Sequence, residues 1–453
     1  MATTTIHNYL TKQDFIDILA ANGQPLASEE VKKQAWEFIE KNDIPDKRLE
    51  EWKKTSLKKL LSHRFEYGKK MDLDKEYVSM FNLSGMYSNL LVFINGYFCP
   101  KLSRIIDNES VMVFSSMAEA KEKHPEIFGK FFNKTQAHKT HLFAALNTYY
   151  AADGAFIYIK KNTKVENPVH VYFFSHGDNR KTLSDTRNLI VADKGSKAQV
   201  LFSYHSLTTD FTFTNAVTEI ILEDNSSLDF NIFQGEGDDS FQINLTKAHL
   251  EQGSNLHTHT TTLCGEIVRN DLQVYYNGPD AYADLNGLSM PDREQLHDNT
   301  LFVHHAHGGS VSNQFYRNII DNNARAVFYG KVLIDKGASR TEAYQLNNNV
   351  LLTPYAKVHS KPHLVIFNDD VSASHGSTTG QLDQEALFYM QARGIGFKKA
   401  RTILLQAFAR EVLEKIKIPV YRFYVQTLVE KRLAGERVDM LCARLGECRM
   451  GSW

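Results

Sequence analysis

Cysteine, tryptophan and proline are scarce in this chain: four, three and ten among 453 residues. The four cysteines, Cys99, Cys264, Cys442 and Cys448, are scattered, so no closely spaced pair is available for a zinc or four-cysteine cluster site. Reduced thiols are the expectation. No apolar run is long enough to span a bilayer, and "MATTTIHNYLTKQDF" lacks the basic start and apolar stretch of a secretion signal. A cytoplasmic protein with no membrane contact is therefore expected. The formal net charge of −1 gives no reason to expect a nucleic-acid partner. There is no G-x-x-x-x-G-K-[ST] and no strand-linked G-x-G-x-x-G, so any ATP chemistry has to come from a partner. G-x-S-x-G and H-E-x-x-H are absent too.

What is present divides the chain into three regions: 1–88 helical, 89–371 strand-rich and 372–453 helical. In the first, "SEEVKKQAWEFIEKN" places Val31, Ala35, Phe38 and Ile39 on one helix face behind Ser28 as N-cap, and the helical pattern runs to about Met80. After Pro45, "RLEEWKKTSLKKLL" reads as a solvated helix that buries Trp52.

From "NLLVFINGYFCPKLS" onward β-branched and aromatic residues alternate with polar ones, apart from a helical insertion around Met117 to His138. A phrase then recurs in "LIVADKGSKAQVLF", "EIILEDNSSLDFNIF", "AHLEQGSNLHTHTT", "QVYYNGPDAYADLNG", "HHAHGGSVSNQFYR" and "KVLIDKGASRTEAYQL". Its turns fall near Gly195, Asn225, Gly253, Asp280, Gly309 and Gly337, about 28 residues apart. A constant period of this size marks stacked units that bury their apolar faces on one another. At about 3.3 Å per residue, one unit makes a coil of two or three short strands. The expected fold is mainly β: a parallel β-helix between helical segments, in preference to a sandwich of hairpins.

In the last region Asp383 can cap "QEALFYMQAR" and Gly394 can end it. "FKKARTILLQAFAREVLEKI" follows, with Ile403, Leu404, Ala407, Phe408 and Val412 as an apolar stripe, and Pro419 separates a third helix.

Histidine is the abundant reactive type. His305 and His307 would share a face of a strand, as would His257 and His259, which suits either a metal or a polar coil face. Asn347, Asn348 and Asn349 in "QLNNNVLL" suggest a hydrogen-bonded amide stack. His375 stands apart, because "DDVSASHGSTTG" falls where the coils give way to helices and where a last coil exposes unpaired edges. Its imidazole can complete a metal site shared between two proteins, or order the coil-to-helix junction.

The phrases "IPDKRLEEWKKTSL", "LVFINGYFCPKLS", "FAALNTYYAADGAFIYIKKN", "VSNQFYRNIIDNNARAVFYGKVLI", "TEAYQLNNNVLL" and "DDVSASHGSTTGQLDQEALFYMQARGI" together resemble the SufB/SufD family, scaffold subunits of the Suf iron–sulfur cluster assembly machine. The "EEWKKTSL" region and the lack of an N-terminal cysteine cluster favour its SufD branch. The resemblance implies a right-handed parallel β-helix and a non-enzymatic scaffold that pairs with SufB through the β-helix end. It also implies a SufC ATPase docked on the C-terminal helices, for which the stripe Ala400, Ile403, Leu404, Ala407 and Phe408 is the candidate. No tightly bound cofactor is implied. A nascent iron–sulfur cluster or iron shared with SufB is, and the family's "SHG" histidine maps onto His375. This chain departs from common relatives at Ala373, where a cysteine is frequent, at Val365 (glutamate) and at Ser372 (lysine). A thiolate is thus expected from SufB. Two other readings are a β-helix carbohydrate-active enzyme, which needs paired carboxylates in a groove, and a self-associating structural protein, for which a homodimer through the coil end is plausible.

Overall fold

The computed structural model describes residues 9–75, 81, 83 and 85–436. Its core is a parallel β-solenoid of two ten-stranded sheets, and from Ala155–Ile159 onward successive strands of the chain alternate between them. Each coil contributes two long strands, one to each sheet. The register advances by 26 residues from Phe241 to Ile267 and by 32 from Arg325 to Lys357, so the sequence period of about 28 is the length of a coil. Strand alternation sends every second residue into the space between the sheets. There Phe202, Phe230, Leu285, Tyr276, Val303 and Phe328 belong to one continuous apolar cluster.

The recurrent turn phrase has a backbone cause. Asn162, Gly195, Asn225, Gly253, Asp280, Gly309 and Arg340 all have left-handed φ, from 55° to 71°. They stack along one edge. Each N–H donates to the carbonyl just before the equivalent residue of the next coil, from Asn162 to Lys194 O (2.8 Å) through to Arg340 to Asp370 O (2.7 Å). Side-chain-bearing residues and glycines alternate along this ladder because an Asx side chain fills the space over the next turn. A Cβ on Gly253 would lie 2.5 Å from Asn225 Oδ1, and one on Gly309 2.1 Å from Asp280 Oδ1. The spacing singles out Gly337 for the next coil, yet the left-handed residue there is Arg340.

The outer faces of the sheets are covered differently. Helices Lys12–Leu19 and Glu29–Lys41, with the insertion helices between Met117 and Tyr150, lie over the start of the first sheet. Ser28 caps the second of these helices, accepting from Val31 N–H. The stretch after Pro45 is not one solvated helix. It is a short turn, Glu50–Trp52, followed by a four-residue helix, Lys58–Leu61, that straps across the same sheet. Interactions with the sheet outweigh helix propensity here: the Arg269 guanidinium lies 3.8 Å from the Trp52 ring centre, and Asp298 bonds both Arg269 and the Thr55 hydroxyl. The N-terminal helical pattern therefore ends by Leu61, and Glu66–Tyr67 already pairs with the first sheet. Residues 76–80 lie outside the described residues, as do Cys442, Cys448 and the tail that carries them. No described helix is long and apolar enough to cross a membrane.

Candidate functional site

The two ends of the solenoid are unlike. At its start Met112–Ser116 runs antiparallel to Ala155–Ile159, and Tyr97–Phe98 antiparallel to Asn89–Ile94, which turns both edges away from further parallel pairing. At the far end Lys357–Ile366 and Val371–Gly380 are the last strands of their sheets, each with one edge unpaired among the described residues. Apolar side chains gather there: Leu346 is 39% exposed, Ile366 40% and Phe367 57%. Exposed apolar groups beside open strand edges are the features that mark interaction surfaces in general.

His375 lies in the middle of the last strand rather than at the coil-to-helix junction, which comes later, at Gly380. The coils reach nine residues beyond Val371, where the strand-rich pattern ends in the sequence; the glycine and hydroxyl residues of "SASHGSTTG" carry little apolar alternation yet pair in register with Thr341–Val350. His375 pairs with Gln345, itself paired with Gln314, on the parity that faces the space between the sheets. Gln345 Nε2 donates to Gln314 Oε1 (2.8 Å), whereas His375 is exposed at the mouth. Across that mouth Ser377 Oγ donates to Ser360 Oγ of the facing strand (2.8 Å). The open coil thus presents one imidazole among hydroxyls and amides. Ala373, on the same face, packs towards the core.

The asparagine run supports this rim. Asn347 and Asn349 point inward and are buried, with Asn318 donating to Asn349 (2.6 Å) and Asn349 to Asn347 (2.8 Å); Asn348 points outward and accepts from Thr378 Oγ1 (2.9 Å). Gln345 was not singled out by the sequence, although counting one coil back from His375 finds it.

Of the two other histidine pairs, only one is brought onto a common face. His305 points into the core, stacked 4.2 Å from Tyr276 and bonded to Ser312 (2.9 Å); burial pushes its pKa down to about 3. His307 sits in the following turn, exposed. The strand ends between them, so they share no face. His257 and His259 do share one, beneath the C-terminal helices, where His257 Nδ1 is 2.8 Å from Asp229 Oδ1. Among the described residues no three His, Cys, Asp or Glu side chains group as a metal site. Among the described residues none groups with His375 as a further metal ligand.

The helices Phe397–Leu413 and Pro419–Leu433 pack on the outer face of the second sheet, in a cluster with Phe233, Leu288 and Ile319. The buried face of the first is Ala400, Leu405, Ala409, Val412 and Leu413. This corrects the phase of the candidate stripe. Ala400 is fully buried within the chain and so is not on the surface, and Phe408 is half-buried beside Arg317, whose guanidinium is 4.5 Å from its ring centre. Ile403 and Ala407 are exposed and Leu404 is half-buried. The preceding helix, Gln384–Ala392, capped by Asp383, buries only Leu387 and leaves Phe388 and Tyr389 exposed.

The family profile described as the SufBD core domain of the SUF system for FeS cluster assembly matches residues 173–408, and that of the SufBD protein N-terminal region matches residues 8–171. The chain belongs to the SufBD family of Suf iron–sulfur cluster assembly proteins. It is 32% identical over 386 residues to an iron–sulfur cluster assembly SufBD family protein of Synechocystis, covering 83% of this chain and 84% of that one. It is 26% identical to the iron–sulfur cluster assembly protein SufD of Escherichia coli (86% and 90% covered) and 25% identical to SufD of Bacillus subtilis (73% and 76%).

Proposed function

We propose that this chain is a non-catalytic scaffold subunit of the SufD type, which pairs with SufB through its open coil end, docks the SufC ATPase on its C-terminal helices and contributes His375 to an iron or nascent iron–sulfur site shared with SufB. The observation that carries the reading is the position of His375: a nitrogen ligand on the rim of the edge that another chain would cover, with no further metal-binding side chain grouped beside it among the described residues. The iron is cargo, held by ligands from both subunits.

The flank helices suit a transmitting role. They are fixed to the second sheet by a broad apolar contact and by Arg432 Nη2 donating to Met290 O (2.7 Å), while Ile403 and Ala407 face away. A pull on them by a nucleotide-driven partner acts on the sheet whose last strand carries His375. Such coupling works only if the partner contacts differ between two states.

The test is the iron and sulfide content of the complex purified with SufB and SufC. His375→Ala should assemble the same complex and carry less iron; equal loading refutes the ligand role. A chain that never associates with SufB refutes the pairing.

A further inference from the structure

The outer face of the first sheet bears a basic window near its open end. Outward parity on Leu296–His305, Arg325–Ile334 and Lys357–Ile366 interleaves cations with rings. Lys331 Nζ lies 5.7 Å from the Phe302 ring centre and Lys361 Nζ 5.5 Å from that of Tyr329; Lys247, further back on the sheet, is buried and takes no part. Arg325 and Lys357 are exposed and adjacent in register. The field there is positive: the pKa of His359 is pushed down by burial and by the neighbouring Lys54, Arg325 and Lys357. Of the nearby carboxylates, Glu50 is taken by Lys361 and Asp335 by His304 (2.9 Å), while Glu51 stands beside Tyr329 and Lys361, so cations exceed the acids rather than stand alone. Among the described residues Arg325, Lys331 and Lys357 have no ion-pair partner, in a chain whose net charge is −1.

We propose that this face docks an acidic polypeptide segment of a partner protein. Charge complementarity gives the sign of the occupant, since a single-sign patch both steers and selects its partner. The chain's own strap shows the mode, because Glu50 reaches Lys361 on this face. A carboxylate-bearing segment fits better than single-stranded nucleic acid, which binds by stacking bases on open rings; here lysine ammonium groups lie over the rings of Phe302 and Tyr329. The surface is on the sheet opposite the C-terminal helices and on the outer side of the coils, so the inference does not rest on the pairing or ATPase docking proposed above.

The experiment is fluorescence anisotropy of the full chain with labelled oligoglutamate and, separately, labelled oligothymidylate, at low and near-physiological salt. The wild-type chain should bind oligoglutamate, with weaker binding as salt is added. Lys331→Glu combined with Lys357→Glu should weaken it by about tenfold or more, while Lys33→Glu, on an N-terminal helix, should not. Circular dichroism confirms that the double variant is folded. Absent binding at low salt, or binding unaffected by the double variant, overturns the proposal. Tighter binding of oligothymidylate that is lost in the double variant assigns the face to nucleic acid and overturns it equally.

Discussion

Trp52 and Arg269, far apart in the sequence, are stacked: the guanidinium lies 3.8 Å from the ring centre, and it is clamped from the sides by Asp271 (2.7 Å) and Asp298. All four side chains are buried. The strap is thus held by a charge that cannot be rehydrated while the strap is in place.

Arg269→Met is expected to destabilise the protein by about 3–5 kcal/mol, because it leaves Asp271 and Asp298 buried without their cation. Trp52→Ala should cost about the same through lost packing. Thr55→Val, which removes one hydrogen bond to Asp298, should cost only about 1 kcal/mol. Urea unfolding followed by intrinsic fluorescence or circular dichroism gives the order; a tolerant Arg269→Met would show that the clamp is not what holds the strap.

Two glycines of the turn phrase should behave oppositely. Gly309→Ala places a methyl 2.1 Å from Asp280 Oδ1 at a left-handed φ of 71°, for a loss of roughly 1–3 kcal/mol. At Gly337 the nearest atom to a new Cβ is Ala306 O at 3.8 Å, and its φ is ordinary. Gly337→Ala should be neutral or stabilising by up to about 1 kcal/mol. Thermal midpoints of the two variants compare them directly.

Acid should destabilise the fold from about pH 6.5 downwards. Burial pushes the pKa of His205, His259, His297 and His305 down to about 3, and that of His138 and His249 to about 4. Below pH 6.5 the unfolded chain binds protons at these sites and the folded chain does not, so stability falls as pH drops. Asp185 and Glu236 act in the other direction: burial raises both to about 7, so between pH 7 and 4 the folded chain holds the extra protons. The histidines are more numerous, and the urea midpoint should fall between pH 6.5 and 4.5. Glu236→Gln isolates the opposing effect: it should stabilise at pH 8, where the wild-type carboxylate is charged and buried, and change little at pH 5. A midpoint that rises on acidification would show that the carboxylates dominate.

Ile403→Glu with Ala407→Glu should abolish capture of SufC while leaving thermal stability unchanged, since both side chains face away from the sheet. Ala400→Glu should instead unfold or loosen the flank, because Ala400 is fully buried. Pull-down together with a melting curve distinguishes a lost partner from a lost fold.

Local signals were legible in the sequence. Side-chain parity and the recurrent turn residues gave the coils, because a stacked turn needs a left-handed backbone at a fixed interval whatever lies around it. Ser28 and Asp383 marked helix starts because a cap bonds residues only two or three positions away. The amide run was legible in the same way, since identical polar residues on one strand can only be buried by bonding their neighbours.

What depended on distant surfaces was not legible. "ARTILLQAFAREV" is apolar on more than one side, and the sheet beneath it chose Leu405, Ala409 and Val412 over Ile403 and Ala407. The strap reads as a helix until Arg269 and Asp298 offer it more than its own backbone does. His375 was visible as a residue, but its place on the open rim followed from Gly380 ending the last strand and from nothing pairing beyond it. Periodicity is a property of neighbours along the chain, whereas exposure is decided by which surfaces the folded coils leave uncovered.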